Sequence, residues 1–237
     1  MRRWLGRVSG GRPAAQNVVE ERGPDWASEQ LEARGIRDPL VLAAMRAVPR
    51  ERFVPPDLVG QAYDDGALPI GHGQTISQPY IVARMTQALA LTDWPHSHDG
   101  ARPKVLDVGT GSGYQAAILA ALGAQVVSVE LEADLAEHAR LRLIDLGYEV
   151  KVIAGDGSLG VPDEAPFAAI VVAAAAPDVP VPLVEQLLPD GRLVVPIGSR
   201  WEQAITLVSR TATGFVRQPL EPAVFVPLLG EHGFSSR

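Results

Sequence analysis

A chain of 237 residues, 46% hydrophobic and 21% charged, holds enough apolar material for one large globular unit, or one with an appendage. The formal net charge of -7 argues against a broad nucleic-acid or anionic-membrane footprint. No apolar run reaches the ~20 residues of a membrane span, and the absence of cysteine excludes disulfides and thiolate chemistry.

Residues 1 to about 25 are polar, rich in Arg and Gly and without period, which reads as a disordered tail. Arg2, Arg3 and Arg7 are not followed by the apolar stretch of a signal peptide, so a cytoplasmic location is expected. A helical pattern starts near Trp26 and ends before Gly35. A second covers 38–48, with Asp38 as N-cap and Pro39 at the first helical position. Pro49, Pro55 and Pro56 then break the chain. Residues 68–79 show no clear period and read as a connection, capped by Ser77 ahead of Pro79. Residues 80–91 read as a helix through Ile81, Met85, Ala88 and Leu89, and 92–103 as a loop. The five histidines have no metal-ligand spacing, so no metal is expected, and His96 and His98 read as solvated loop residues.

From Lys104 the chain alternates strand and helix. Strands are expected over 105–108, 126–130, 149–153, 167–172 and 192–196, with helices over 113–122, 132–146 and near 182–188. Two further β-rich stretches, 204–210 and 215–226, close the chain. Right-handed crossovers between such strands build a mostly parallel central sheet with helices on both faces. Ligands of such sheets sit beyond the carboxyl ends of the strands, where 109–113, Glu130, Asp156 and 173–177 all fall.

The run Lys104-Val105-Leu106-Asp107-Val108-Gly109-Thr110-Gly111-Ser112-Gly113 carries the sharpest chemistry. A strand stops at a glycine turn that opens a helix, where free backbone N–H groups await a ligand. Gly109, Gly111 and Gly113 give a GxGxG spacing; Tyr114 spoils a GxGxxG read from Gly109, although Gly111 to Ala116 satisfies GxGxxA. The strand ends at Val108, which makes Gly109 the first turn residue and favours the compact turn of S-adenosylmethionine enzymes. Glu130, at the tip of the next strand, can hold a ribose diol. Between 71 and 80, hydroxyls and backbone donors ahead of the sheet could hold a carboxylate, an alternative to plain capping.

Several segments, in order along about residues 28–232, resemble the protein-L-isoaspartate O-methyltransferase family: Pro49-Arg50-Glu51-Arg52-Phe53-Val54, Gln74-Thr75-Ile76-Ser77-Gln78-Pro79-Tyr80, the 105–113 turn, Gly155-Asp156-Gly157, 173–177 and Phe225-Val226-Pro227-Leu228. The Thr-Ile-Ser loop is the most specific of these. The resemblance implies a Rossmann-like class I methyltransferase: an S-adenosylmethionine-binding core over 104–237, with an N-terminal helical subdomain and substrate loop over 26–103 and a modified order of the last strands. It implies methyl transfer from S-adenosyl-L-methionine to the α-carboxylate of L-isoaspartyl residues in damaged proteins and peptides, initiating repair through a succinimide. Ser77 would be the catalytic residue, with Thr75 beside it at the substrate. Gln74, Thr75, Ile76, Ser77, Val108, Gly109, Gly111, Gly113, Glu130, Leu131, Asp156 and Gly157 would meet the cofactor. His72 is assigned no role, Leu229 stands where some members carry a polar residue, and Asp107 is read as support for the turn. A monomer that uses neither nucleic acid nor membrane is expected. The competing readings are an S-adenosylmethionine enzyme for a small molecule or RNA, a non-enzymatic binding protein of the same fold, and a dehydrogenase.

Overall fold

The structure, a computed structural model, describes residues 25–94 and 102–235. Residues 1–24, His96 and His98 lie outside the described residues. Helix α1 spans Trp26–Gln30 and continues through a 3-10 turn to Gly35. Helix α2 spans Pro39–Ala47, with the Asp38 carboxylate accepting from the N–H groups of Leu40 and Val41 as an N-cap should.

The stretch read as a loop is instead a hairpin of two short strands, β1 (Leu68–Gly71) and β2 (Gln74–Ile76). Its turn places Gly71, His72 and Gly73 at φ of 91°, 53° and 70°. Strands of three and four residues cannot show a period, and His72 hides an unusual backbone conformation from a glycine-based reading. Helix α3 (Pro79–Ala88) begins where Pro79 predicts, but its N-cap is Gln78 and no side chain caps it. Ser77 is therefore not the cap. The helix also stops before Leu91, because Ala90 takes a left-handed conformation at φ 52°. Of the residues expected on its inner face, Met85, Ala88 and Leu89 are buried while Ile81 is only half-buried, and Val82, Ala83 and Thr86 join them to make the buried face wider than expected.

The α/β alternation then follows as β3 (Lys104–Val108), α4 (Tyr114–Ala121), β4 (Gln125–Glu130), α5 (Ala133–Asp145), β5 (Val150–Ala154), β6 (Phe167–Val172) and α6 (Val181–Glu185). It ends in β7 (Leu187–Gly198), β8 (Gln203–Thr211) and β9 (Gly214–Ala223). Helix α6 is shorter than expected, since Leu187 and Leu188 already belong to β7 and pair toward Phe167. An irregular register there, with Asp190 at φ 61°, absorbs the turn chemistry of Pro189-Asp190-Gly191.

The seven-stranded sheet has the order β5-β4-β3-β6-β7-β8-β9. The first five strands are parallel and the last two form an antiparallel meander in sequence order, which is the modified ending the resemblance implies. Strand alternation divides the core. On one face Val105, Ala169, Val171, Val194 and Ile205 join the buried side chains of α1–α4 in a single apolar cluster. On the other, Leu106, Val108, Ile170, Val172, Leu193 and Val195 pack with Leu183 and Val184 of α6. The helices before residue 94 thus have no separate core.

Candidate active site

Backbone bonds carry the ladder past the strand ends and shape one edge. Gly109 N–H donates to Val129 C=O at 2.8 Å, Ala173 N–H to Val108 C=O at 2.8 Å and Gly155 N–H to Glu130 C=O at 2.8 Å. The glycine turn after β3 is held from behind by Arg142 of α5, whose guanidinium donates to Ser112 C=O at 2.8 Å. The β1–β2 hairpin lies over it: a Cβ at Gly111 would meet Ile70 Cδ1 at 3.4 Å. Between hairpin, glycine turn and the ends of β4 and β6 opens a cavity.

Gln74, Thr75, Ile76, Ser77, Val108, Gly109, Gly111, Glu130, Leu131 and Gly157 all line that cavity. Ten of the twelve residues expected at the cofactor are thus brought to one wall. Two are not. Gly113 is the N-cap of α4 and backs onto Leu143, which a Cβ there would meet at 3.2 Å, so its small size serves helix packing. Asp156 points elsewhere: its carboxylate accepts from Ser158 N–H (2.8 Å), Ser158 Oγ (2.7 Å) and the Glu231 N–H (2.8 Å). Burial alone would raise the Asp156 carboxyl, but these hydrogen bonds hold it below its ordinary value.

Glu130 is 6% exposed and its two oxygens are already oriented. One accepts from Gly111 N–H at 2.8 Å and the other from Glu132 N–H at 3.2 Å. Each carboxylate oxygen has a second acceptor site, so a pair of vicinal hydroxyls can be held without moving the side chain. Beside it, Leu131 is 44% exposed, an apolar surface next to a polar clamp. Gly157 closes the floor. A Cβ there would lie 2.6 Å from Val108 Cγ1, so only a glycine backbone fits against the strand ends. A rigid acceptor for a diol, an apolar neighbour and bare turn backbone suit a nucleoside carrying no pyrophosphate.

Beneath the turn, Asp107 is fully buried. Ser128 Oγ donates to its Oδ2 at 2.7 Å, so Thr110 Oγ1, 2.6 Å from Ser128 Oγ, must be the donor in that pair. The chain of hydroxyls ties the turn to β4, the supporting role expected of Asp107. Burial pushes its carboxyl up to about 7, against the Ser128 hydrogen bond. A raised carboxyl binds its proton in the folded state where the unfolded state has lost it. Stability should therefore fall as pH rises from about 4 to about 7, by at most ~1.4 kcal/mol per unit. Denaturant unfolding at pH 5 and pH 8 checks this: Asp107→Asn should lose less stability across the interval than the wild type. Parallel pH profiles for the two would show that Asp107 ionises normally.

Sequence reasoning left part of the wall unassigned. Val82, Met85 and Gln115 reach the cavity from α3 and α4, where Gln115 Nε2 donates to Thr86 Oγ1 at 2.9 Å and locks the two helices. Tyr114, packed edge-on to Phe53 and under the buried Arg50 guanidinium, lines it too. The 225–229 segment forms the far side and includes Leu229. The expected last strand, 215–226, ends at Ala223 and releases this segment to the cavity. Its family motif was visible, but no periodicity says that a strand stops there. No group of three or more His, Cys, Asp or Glu among the described residues could hold a metal ion.

The strand order and the cavity at the carboxyl edge define a class I S-adenosylmethionine-dependent methyltransferase fold. The model of the protein-L-isoaspartate(D-aspartate) O-methyltransferase family matches residues 27–233, and the chain belongs to that family. It is 52% identical over 205 residues to the protein-L-isoaspartate O-methyltransferase of Gloeobacter violaceus, a match spanning 86% of this chain and 96% of the relative. A solved protein-L-isoaspartate O-methyltransferase structure matches with a TM-score of 0.73 at 28% identity, over 85% of this chain and 64% of that one. A Plasmodium falciparum structure described under the same family, in complex with S-adenosyl-L-homocysteine, matches with a TM-score of 0.72 at 25% identity, over 88% of this chain and 99% of its own.

Proposed function

We propose that the cavity holds S-adenosyl-L-methionine and that the protein methylates the α-carboxylate of L-isoaspartyl residues in damaged proteins and peptides. The observation that carries this reading is the convergence of the Gln74–Ser77 stretch, the glycine turn and the pinned Glu130 carboxylate on one cavity. When bound, the cofactor supplies a methyl group activated by a sulfonium. The acceptor carboxylate is ionised at pH 7 and needs no strong general base. What the chain supplies is alignment, an effect that can contribute several kcal/mol.

In this reading Glu130 holds the ribose hydroxyls, and Leu131 and Gly157 flank the adenine. The turn from Val108 to Gly111 receives the rest of the cofactor. Gln74, Thr75, Ile76 and Ser77 bound it from the hairpin side, and Thr75 and Ser77 face the acceptor. Ser77 orients the carboxylate as a hydrogen-bond donor and forms no covalent bond. Hydrolysis of the succinimide formed by the resulting ester returns part of the lesion to normal aspartate. The reading includes a monomer acting in the cytoplasm without nucleic acid. No helix among the described residues is long and apolar enough to cross a membrane.

Tritiated S-adenosylmethionine offered with an isoaspartyl peptide and with its aspartyl twin tests the reaction. Base-labile methyl ester is expected on the isoaspartyl peptide alone. Equal labelling of both, or of neither, would overturn the assignment.

A further inference from the structure

The last described residues cross the edge at which the cavity opens. Leu228 N–H donates to Ala175 C=O at 2.7 Å, and Leu228 and Leu229 then line the cavity. Beyond them the chain folds back, with Phe234 N–H donating to Leu228 C=O at 2.7 Å. The segment is fastened at two separated places. At the end of β7, Arg200 donates to Ser235 C=O at 2.8 Å and lies 4.9 Å from the Phe234 ring. At the end of β5, Asp156 Oδ2 accepts from Glu231 N–H at 2.8 Å, while Ser158 Oγ accepts from His232 N–H at 3.0 Å. The Ser158 hydroxyl itself donates to Asp156 Oδ1, so the two side chains act as one acceptor unit. Gly230 is pressed against that unit: a Cβ there would collide with Asp156 Oδ1 and lie 2.6 Å from Ser158 Oγ.

We infer that Asp156 and Ser158 are positioning residues that latch the 228–235 strap across the cavity, and that this latch governs how fast the nucleoside product leaves. The inference rests on the proposed cofactor site. Neither Asp156 nor Ser158 lines the cavity, so both act on it through the strap they fasten. Both fastenings lie just beyond Leu228 and Leu229, and opening the one at Glu231 and His232 frees the chain directly next to these two wall residues. The rate constant of dissociation is then the quantity most exposed to the latch.

The test follows S-adenosylhomocysteine dissociation by stopped flow in the full chain, with Asp156→Asn, Ser158→Ala and Gly230→Ala. Each variant is expected to release the ligand roughly ten-fold faster, with turnover at saturating methyl donor not reduced. Asp156→Asn on the Gly230→Ala background should add less than about two-fold, as expected for one shared latch. Hydrogen exchange at Glu231 and His232 should quicken in the ligand-free variants. The same ratios are expected with S-inosylhomocysteine, which lacks the adenine amino group. If Asp156→Asn alone accelerates release, and only for the adenosyl ligand, Asp156 touches adenine directly and the latch is wrong. Unchanged release in Ser158→Ala and Gly230→Ala overturns it too. Failure of the wild-type protein to bind S-adenosylhomocysteine would sink the cofactor site together with the latch, whereas binding with unaltered rates sinks the latch alone.

Discussion

Ser77→Ala should lower kcat/KM for an isoaspartyl peptide by ten-fold or more while leaving the melting temperature unchanged. Ten-fold corresponds to about 1.4 kcal/mol of transition-state stabilisation. The second half of the expectation comes from α3, whose N-cap is Gln78 and whose first turn receives no side-chain hydrogen bond. A capping serine would cost about 0.5–2 kcal/mol of stability on removal; here that term is absent. The first half comes from where Ser77 sits, half-buried on the cavity wall directly after β2. With the acceptor already ionised, orientation is the main contribution a side chain can make there. Affinity for S-adenosylhomocysteine should move much less than the rate, and Ser77→Thr, which keeps a hydroxyl, should recover part of it. Wild-type turnover in Ser77→Ala would remove the residue from the reaction.

Glu130→Ala is expected to weaken S-adenosylhomocysteine binding by about 1.5–3 kcal/mol, the range for hydrogen bonds to a charged group. That is roughly a ten- to 150-fold rise in Kd. Two effects point the same way. The diol loses its acceptor, and the N–H groups of Gly111 and Glu132 lose the carboxylate that fixes the turn. Glu130→Gln separates them only in part, because its amide group cannot accept from the second N–H. Calorimetry measures the change, and circular dichroism verifies the fold. An unaltered Kd in a folded variant would reduce Glu130 to a structural strand end.

The parallel half of the sheet was readable because its strands are mostly apolar, and β3 and β4 stop at Gly109 and Glu130. Val105 to Val108 and Phe167 to Val172 are buried on both faces, as strands of a parallel sheet covered by helices must be. The pinned carboxylate of Glu130 could be placed at a strand tip from spacing alone. Where reading failed, local signals were short or shared. The β1–β2 hairpin is too brief for a period, and its turn runs through His72. Leu187 and Leu188 extend the apolar pattern of α6 although they belong to β7, where Leu187 pairs with Phe167. Ser77 before a proline imitates a cap. Asp156 sits at a strand end beside a nucleoside site, yet it and Ser158 accept from the N–H groups of Glu231 and His232, more than seventy positions away. No local pattern reports such a pairing. The same holds for 225–229, which becomes cavity wall only because β9 ends at Ala223.

One apolar cluster joins α1–α3 to the face of the sheet that carries Val105, Val171 and Ile205. The consequence reaches beyond stability. A module that binds the methyl donor cannot be cut from this chain at residue 104 and fused to another acceptor-recognising segment, because the cut strips that face of its cover. In the proposed reading, where Thr75 and Ser77 face the acceptor, changes of acceptor preference arise by substitution within the hairpin and along the cavity rim, with the N-terminal helices kept. Donor binding and acceptor choice are therefore inherited together.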